Sequence, residues 1–424
     1  MRVWLITIGE PLPIDGACDR LLRTGILAEL LAKNGHDVTF WSSTFDHVRK
    51  KHRTLQDVVI PINERYRLHL LHSIGYQSNV SLRRCINHRG VARKFSRYAC
   101  SQIPPDIILC SLPIVELCNE ALNYGFRHGV PVVLDVRDLW PDLFLDLLPP
   151  WSRPLGRIVL SPIFRATRNA FARASAIIGV TDKYVEWAER YAGRSSKDWN
   201  RAFPMGYVDR QPNEQDIIDA RAFWRQHGIT GESGEFIACW FGTMGRHSEL
   251  ETVIDGARRL ASAARKTRFV LCGVGPHLAR LKLRASICPS VVFPGWVNAP
   301  QIWTLLRMSS VGLAPYVSND NYIRNVPNKP VEYLSAGLPI VSSLKGELAN
   351  LLSRNDCGLT YENGNATDLF QKIVQCYDDP IRLNRLSSNA AQLYRRQFVA
   401  EETYSQMEKY FCEIVESHIQ TRAA

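Results

Sequence analysis

The sequence predicts an α/β protein with two doubly wound parallel-sheet domains, and three observations support that prediction. The chain has 424 residues, 46% of them apolar, which is enough for two hydrophobic cores and too long for one. Short apolar runs typical of buried strands alternate with helical patterns. Several of these runs end in glycine or polar residues, where open α/β sheets place their functional groups.

The beginning of the chain predicts a β–α–β unit. A strand over residues 1–8 precedes a glycine-containing loop, a helix over residues 20–33 and a strand over residues 37–41. The dinucleotide fingerprint GxGxxG is absent from this loop. Gly16 is a candidate for close backbone approach to a ligand, and a plain turn explains it about equally well.

Targeting and cysteine patterns bear on the location of the protein. The chain begins directly with a strand, without a charged lead and apolar signal region, and it has no run of eighteen apolar residues. We therefore expect a cytosolic protein that does not span a membrane. Its eleven cysteines are scattered without metal-binding spacing, which favours reduced core thiols over disulfides or zinc.

Residues 49–97 are unusually basic. They contain twelve Lys or Arg and two Asp or Glu, so this segment carries ten of the chain's eleven net positive charges. A solvated surface, a nucleic-acid patch and an anionic membrane surface are the alternatives. No nucleic-acid motif accompanies the charge, and each basic residue near an anionic bilayer contributes about 1 kcal/mol. We favour the membrane and expect no nucleic-acid partner.

Four further strand ends carry candidate functional groups. Asp138 follows an apolar strand in the stretch Arg137–Asp142, although a structural Arg–Asp pair also explains the pattern. In the second half, a strand over residues 236–241 runs into Gly242 and Gly245, which allow backbone approach to an anion, and Arg246 offers a guanidinium to phosphate. Two later strand ends contribute Gly273, Gly275, Trp296 and Val297.

The most informative stretch is NVPNKPVEYLSAGLPIVSS, residues 325–343. It predicts a short helix that begins near Pro330 and ends at Gly337, between two buried strands. Lys329 and Glu332 share a face of the first turn, so a cation for phosphate lies beside an acceptor for a diol. A first-turn acid that only favours the helix dipole is the plainer alternative.

Residues 328–341 resemble the nucleotide-sugar signature of retaining glycosyltransferases of the GT-B fold, family 4. The resemblance implies two Rossmann-like doubly wound domains facing across a cleft, with a C-terminal helix crossing back. In that family the Glu binds the donor ribose and the preceding basic residue lies near the diphosphate. The family pattern implies catalytic roles for Asp138, Arg246 and Lys329. It implies that twelve residues bind the donor: Gly16, Gly242, Gly245, Arg246, Gly273, Gly275, Trp296, Val297, Asn325, Val326, Lys329 and Glu332.

The segment Arg-Asp-Leu-Trp-Pro, residues 137–141, is similar to a motif of a family 4 subgroup that acts on lipid-linked sugars in envelope polysaccharide synthesis. The implied function is a retaining, metal-independent hexosyltransferase (EC 2.4 type) of the O-antigen kind, without a cofactor. It would use a UDP-sugar donor and a lipid-linked saccharide acceptor at the cytoplasmic membrane face. Residues 1–210 would bind the acceptor, 211–234 would link the domains, 235–395 would bind the nucleotide sugar, and 396–424 would form the crossing helix.

The chain departs from the family pattern at two places. Ser248 and Glu249 stand where relatives carry Lys-Gly, and Arg324 stands where many carry a second Glu. Two other functions remain open. A sugar-nucleotide epimerase shares the same architecture, and the two departures favour a polyanion-binding scaffold on a degenerate transferase fold.

Overall fold

The computed structural model describes residues 1–16, 20–146, 148–193, 199–231 and 234–423. Its contacts divide the chain into two compact units. Unit 1 contains Met1–Pro204 and Glu401–Ala424, and unit 2 contains Met205–Ala400. We describe each unit separately.

The strands alternate with helices along most of the chain. In chain order the strands are β1 (Arg2–Ile6), β2 (Asp37–Ser43), β3 (Phe45–Asp46), β4 (Lys51–His52), β5 (Val58–Asn63), β6 (Tyr66–Leu71), β7 (Ile107–Ser111), β8 (Val132–Val136), β9 (Ala176–Gly179), β10 (Arg201–Ala202), β11 (Phe236–Phe241), β12 (Thr267–Cys272), β13 (Val291–Gly295), β14 (Val311–Ala314), β15 (Ile340–Ser342) and β16 (Gly358–Thr360).

The helices in chain order are α1 (Arg23–Lys33), α2 (Leu82–Ala99), α3 (Val115–His128), α4 (Asp142–Asp146), α5 (Arg153–Val159), α6 (Ser161–Arg173), α7 (Asp182–Ala192), α8 (Glu214–Gln226), α9 (Leu250–Ser262), α10 (Leu278–Arg284), α11 (Ala299–Met308), α12 (Asp320–Ile323), α13 (Asn328–Ser335), α14 (Glu347–Arg354), α15 (Ala366–Tyr377), α16 (Pro380–Gln397) and α17 (Ala400–Ala423). None of the helices in the described ranges is long and apolar enough to cross a membrane.

The main sheet of unit 1 has the order β10-β9-β8-β7-β1-β2-β6-β5. Its strands pair in parallel, except that the edge strand β5 is antiparallel to β6. The central strands β7 and β8 are buried along their whole length, as parallel strands covered on both faces must be. The chain order reverses between β1 and β7, so the loop after β1 lies at the topological switch point, where such sheets bind ligands.

Unit 2 has the strand order β13-β12-β11-β14-β15-β16, and all of these strands are parallel. Numbered within the unit, this is the order 3-2-1-4-5-6 of doubly wound nucleotide-binding sheets. Its switch point lies between β11 and β14. The prediction of parallel α/β sheets in both halves of the chain is therefore confirmed.

The structure assigns two segments differently from the sequence-based boundaries. The stretch 211–234, predicted to be a linker, lies within unit 2 over its described residues, because Trp224 on α8 is buried in that unit's core and donates from Nε1 to the carbonyl of Gln301 at 3.0 Å. The last helix, α17, packs on unit 1, where the Tyr410 hydroxyl donates to the carbonyl of Trp199 at 2.6 Å. The crossing helix, predicted over residues 396–424, begins at Ala400 in the structure, because residues 396 and 397 are the last two residues of α16.

Candidate functional site

The helix α13 carries the two most strongly predicted residues. It begins after Pro327, whose backbone is extended, and it is followed by Gly337 with a left-handed φ of +66°. No side chain caps its N-terminus, so the partial positive charge of the helix start remains available. Lys329 lies in its first turn, and Glu332 follows three residues later on the same face.

Glu332 is only 5% exposed. Burial is the largest cause that raises the pKa of Tyr316 and of Tyr333, and the negative charge of Glu332 adds to both shifts. The carboxyl group of Glu332 is therefore near these two side chains. The Tyr333 hydroxyl donates to the carbonyl of Leu313 at 3.0 Å, at the end of β14. The Tyr333 contact holds α13 against the end of β14, and Glu332 is the preceding residue of this helix. The ribose contact that the family resemblance implies for Glu332 stays a prediction.

Lys329 packs directly against the loop that follows β11. A Cβ atom placed on Gly242 would lie 2.5 Å from Lys329 Cε and 2.9 Å from its Nζ. The Lys329 ammonium also lies 5.9 Å from the ring centroids of Trp240 and Tyr316. The glycine at position 242 therefore makes room for the cation, which explains why a loop 87 positions earlier in the chain needs a residue without a side chain.

Glycines also hold the β11 and β12 loops together. Gly273 has a φ of +131° and would place a Cβ 1.9 Å from the carbonyl oxygen of Gly242. Gly275 has a φ of +155°, and its Cβ would lie 2.4 Å from the carbonyl oxygen of Met244. Both the conformation and the spacing exclude larger residues. Three of the predicted glycines thus shape one loop pair at the switch point, next to Lys329.

Three buried polar atoms near this edge lack a hydrogen-bond partner among the described residues. They are Asn325 Oδ1, Ser318 Oγ and Glu249 Oε2. Buried polar atoms are nearly always satisfied, and these three lie in the loops that follow β11 and β14. Asn325 was a predicted site residue. Ser318 and Glu249 had no assigned role, and the polar run after β14 is the sequence signal that could have indicated Ser318.

The remaining predicted residues of unit 2 have different exposures. Arg246 is exposed in the loop that follows β11. Burial is the larger cause that lowers the pKa of His247, and the charge of Arg246 lowers it further. Arg324 pairs with Asp320 at 3.3 Å. Trp296 is exposed.

Two other predicted positions take part in packing. Val297 is buried in the hydrophobic core, and Val326 packs against the same core. Because both side chains are packed, only the backbone groups of these two residues are suited to contact a ligand. Gly245 lies in the same loop as Arg246, where a Cβ would meet Pro276 at 4.0 Å.

Unit 1 carries a buried ion network that the sequence did not predict. Arg137 donates from Nε to Asp135 at 2.7 Å and from Nη2 to the Thr24 hydroxyl at 2.7 Å, and its Nη1 pairs with Glu10. Arg23 donates to the same Asp135 oxygen at 3.0 Å, and neither side chain of that pair is exposed. Burial raises the pKa of Asp135, and the Arg23 guanidinium opposes that shift. This network ties the switch-point loop after β1 to the end of β8.

The two predicted residues of unit 1 lie at the same sheet edge. Asp138 follows β8 and is half-buried, and its charge helps to sustain the pKa of Arg137, which burial lowers to about 10. Gly16, with a φ of +129°, follows Asp15, which forms a bidentate pair with Arg53. The alternative explanation of Arg137 as a structural residue agrees with its contacts, although its partners are Glu10 and Asp135.

Comparison with solved structures defines the class of fold. The chain resembles sucrose-phosphate synthase of Thermosynechococcus elongatus, with a TM-score of 0.72 and 16% identity over 98% of this chain and 99% of that one. It also resembles Anabaena HepE in complex with UDP, with a TM-score of 0.65 and 16% identity over 97% and 100%. The chain has the GT-B fold of two Rossmann-like domains, which confirms the predicted fold class.

Sequence comparison finds a family match within the second half of the chain. Residues 235–379 match the model described as glycosyl transferases group 1. The putative colanic acid biosynthesis glycosyltransferase WcaL of Escherichia coli (strain K12) is 24% identical over 129 residues, 30% of this chain. That match spans 32% of the length of WcaL. The segment with the candidate site therefore carries the sequence features of group 1 glycosyltransferases.

Proposed function

We propose that this protein is a retaining, metal-independent hexosyltransferase that moves a sugar from a UDP-linked donor to a lipid-linked saccharide. The observation that carries the proposal is the packing of the Lys329 ammonium against Gly242, with Glu332 one turn further along α13. A cation, two glycine loops and an uncapped helix start meet at one sheet edge, a combination suited to a nucleoside diphosphate. The group 1 match and the UDP and UDP-glucose complexes of HepE support this donor class.

The donor is bound in three parts in this proposal. Lys329 and Arg246 bind the diphosphate, together with backbone groups of the glycine loops. Glu332 accepts hydrogen bonds from the ribose hydroxyls, a role that requires an ionised carboxylate beside a diol. The loops at residues 273–275 and 296–297 hold the base, and residues 325–326 contact the sugar.

The catalytic contribution of these groups is electrostatic. Negative charge accumulates on the departing diphosphate as the bond to the sugar breaks. Cations and helix dipoles that are already in place stabilise that charge, and loss of one such group typically costs about 10²- to 10³-fold in turnover. Lys329 and Arg246 supply this positive charge without a metal ion, so we expect turnover to be unchanged by a chelator.

The acceptor belongs to unit 1 in this proposal, with Asp138 near the reacting sugar. The basic segment 49–97 includes α2, which exposes Arg89 and Arg93 together with Leu82, 83% exposed. Exposed cations beside exposed apolar side chains suit an anionic lipid surface better than a nucleic acid. We therefore propose a peripheral position at the inner face of the cell membrane, in envelope polysaccharide synthesis.

The test is nucleotide release from a panel of UDP- and GDP-sugars, with and without a membrane extract. We expect one donor to give extract-stimulated release, and the product anomer, determined by NMR, to match the donor. Lys329→Met should abolish release, whereas Lys282→Met, an exposed change on α10 of the same unit, should not. Equal activity of the two variants would refute the assigned role of Lys329.

The same experiment separates the two other functions. Isomerisation of the donor without an acceptor would identify an epimerase. Absence of saturable UDP binding would identify a scaffold on a degenerate transferase fold.

A further inference from the structure

A second group of cations lies at the carboxyl edge of the unit 1 sheet, apart from the ion network of Arg137. The hairpin β3–β4, which follows β2, contributes His47 and Lys50. The segment after β6 contributes Tyr76, the first turn of α2 contributes Arg84, and the loop after β8 contributes Trp140. We call these five residues the Tyr76 cluster. Ligands of open α/β sheets bind at this edge, and three separate strand ends supply its members.

The ring of Tyr76 is the centre of this cluster. Lys50 Nζ lies 4.8 Å from its centroid and the Arg84 guanidinium 5.5 Å from it. Arg84 also lies 4.7 Å from the centroid of Trp140. His47 Nδ1 lies 2.6 Å from the Tyr76 hydroxyl. Two cations are therefore held on one aromatic ring, where cation–π contacts fix their positions.

Among the described residues, no acidic side chain forms a salt bridge with Lys50 or Arg84. Lys50 donates to the side chain of Asn79, and Arg84 donates to the Asn79 carbonyl at 2.8 Å, so both partners are neutral. Asp46 is the nearby acid whose charge reaches Lys50, and it pairs with Arg49 at 2.9 Å. The cluster thus retains uncompensated positive charge.

The positive charge of Arg84 acts on two neighbouring groups of the cluster, Lys50 and His47. Burial, followed by the charge of Arg84, lowers the pKa of Lys50. Burial and the charges of Lys50 and Arg84 lower the pKa of His47 to about 4, so His47 is neutral at pH 7. An anion bound between Lys50 and Arg84 would relieve this repulsion.

The backbone of Lys50 is also held in an unfavourable conformation. Its φ is +55°, in the left-handed region that is unfavourable for a residue with a Cβ atom. Strained residues of this kind concentrate at binding sites, where the surrounding structure holds them in place. The hairpin therefore positions the Lys50 ammonium at an energetic cost to folding.

The surface next to the cluster is apolar. Trp140 packs edge-on against Phe144 of α4, with 4.4 Å between their centroids. From α4 and the residues after it, Leu145 and Leu148 reach Gly156 of α5. The 3₁₀ turn and helix that follow expose four large apolar side chains: Trp151, Leu155, Ile158 and Val159, which are 64% to 83% exposed. A cationic subsite bordered by apolar surface matches a ligand with a phosphate head and a hydrocarbon chain.

We propose that Lys50 and Arg84 bind a phosphate group of the acceptor, and that the acceptor saccharide is linked to a lipid phosphate or diphosphate whose hydrocarbon chain lies along α4 and α5. The inference rests on the proposed transferase function and adds the chemical class of the acceptor and the residues that recognise it. It also separates Lys50 and Arg84, which bind one ligand, from basic residues of α2 such as Arg93, which only attract a surface.

The test uses the full chain, saturated with UDP so that the diphosphate groups of unit 2 are occupied, and titrated with farnesyl diphosphate. Lys50→Gly removes the cation at a φ that glycine adopts freely, so the variant is expected to fold. Arg84→Gln removes the second cation, and Arg93→Gln, an exposed change on the same helix, is the matched control. Melting temperatures of all variants report on folding.

We expect Lys50→Gly and Arg84→Gln each to raise the Kd for farnesyl diphosphate about tenfold or more, with Arg93→Gln close to the wild type. The affinity for UDP should be unchanged in all three variants. UDP would not bind if the proposed function were wrong, whereas a failure of this inference alone leaves UDP binding intact. Equal effects of Arg84→Gln and Arg93→Gln, or no binding by the wild type while UDP binds, would overturn the inference.

Two further titrations identify the source of the phosphate. Inorganic diphosphate should bind at least about tenfold more weakly than farnesyl diphosphate, because it has no hydrocarbon chain to bury; equal affinities would refute the role of α4 and α5. Vesicles of phosphatidylglycerol should bind Arg93→Gln more weakly than Arg84→Gln. The reverse order would assign the cluster to membrane headgroups and refute its role in acceptor recognition.

Discussion

Substitution of Gly242 by alanine tests the donor site most directly. The added Cβ would lie 2.5 Å from Lys329 Cε, whereas carbon atoms in contact are about 3.5–4.0 Å apart, so the Lys329 side chain must move by about 1 Å or more. Because the atoms to be displaced are the end of a flexible side chain, the clash itself should destabilise the fold little. The change should appear instead in ligand binding.

The expected magnitude follows from the contact that Lys329 would lose. A hydrogen bond from a charged group contributes about 1.5–3 kcal/mol, which corresponds to about a 10- to 100-fold rise in the Kd for UDP, measured by calorimetry. The backbone effect needs a separate control, because alanine is also strained at the φ of +151°. Gly364→Ala is suitable, since Gly364 has a φ of +77° and no heavy atom within 4 Å of its added Cβ.

A double-mutant cycle completes this test. If Gly242→Ala acts through Lys329, its effect on UDP affinity should disappear in a Lys329→Met background. Either of two results would refute the reasoning: Gly242→Ala and Gly364→Ala have the same UDP affinity, or the effect of Gly242→Ala persists without the Lys329 ammonium.

Three further predictions concern both units. Glu332→Gln should raise the Kd for UDP about tenfold and leave that for inorganic diphosphate unchanged, because only UDP carries the ribose; equal losses would contradict the ribose contact. Arg23→Met should lower the free energy of unfolding by about 3–5 kcal/mol in urea titrations, because it leaves Asp135 buried without one guanidinium. The control, Lys33→Met, removes an ion pair that is more than 70% exposed and should change the free energy of unfolding by less than about 1 kcal/mol. Burial, followed by the charges of Arg84 and His47, lowers the pKa of His88 to about 3, so the unfolded chain binds a proton first as the pH falls below about 6.5. Stability should therefore fall by about 2 kcal/mol from this residue between pH 6.5 and 5, and the loss should be smaller in His88→Gln; an identical pH dependence would refute it.

Local sequence patterns determined much of this protein. Apolar runs such as residues 236–241 indicated buried parallel strands, because strands covered on both faces need uninterrupted apolar residues. The helix that starts at Asn328 was evident from Pro330, Gly337 and the strands on either side, since these residues act on the backbone of their own turn. These signals extend over a few residues, so one sequence suffices to detect them.

Only the tertiary structure decided which distant residues meet. Arg23 and Asp135 are 112 positions apart, and the strand order that places β1 and β8 within reach of one side chain is not a local property. The same holds for Lys329 against Gly242, and for Arg84 between Tyr76 and Trp140. The stretch 211–234 looked like a linker because it is polar, yet the burial of Trp224 places it in unit 2. The sequence defines residue types and their spacing along the chain. Contacts between residues from different strand ends of one sheet form only when the strands have taken their order.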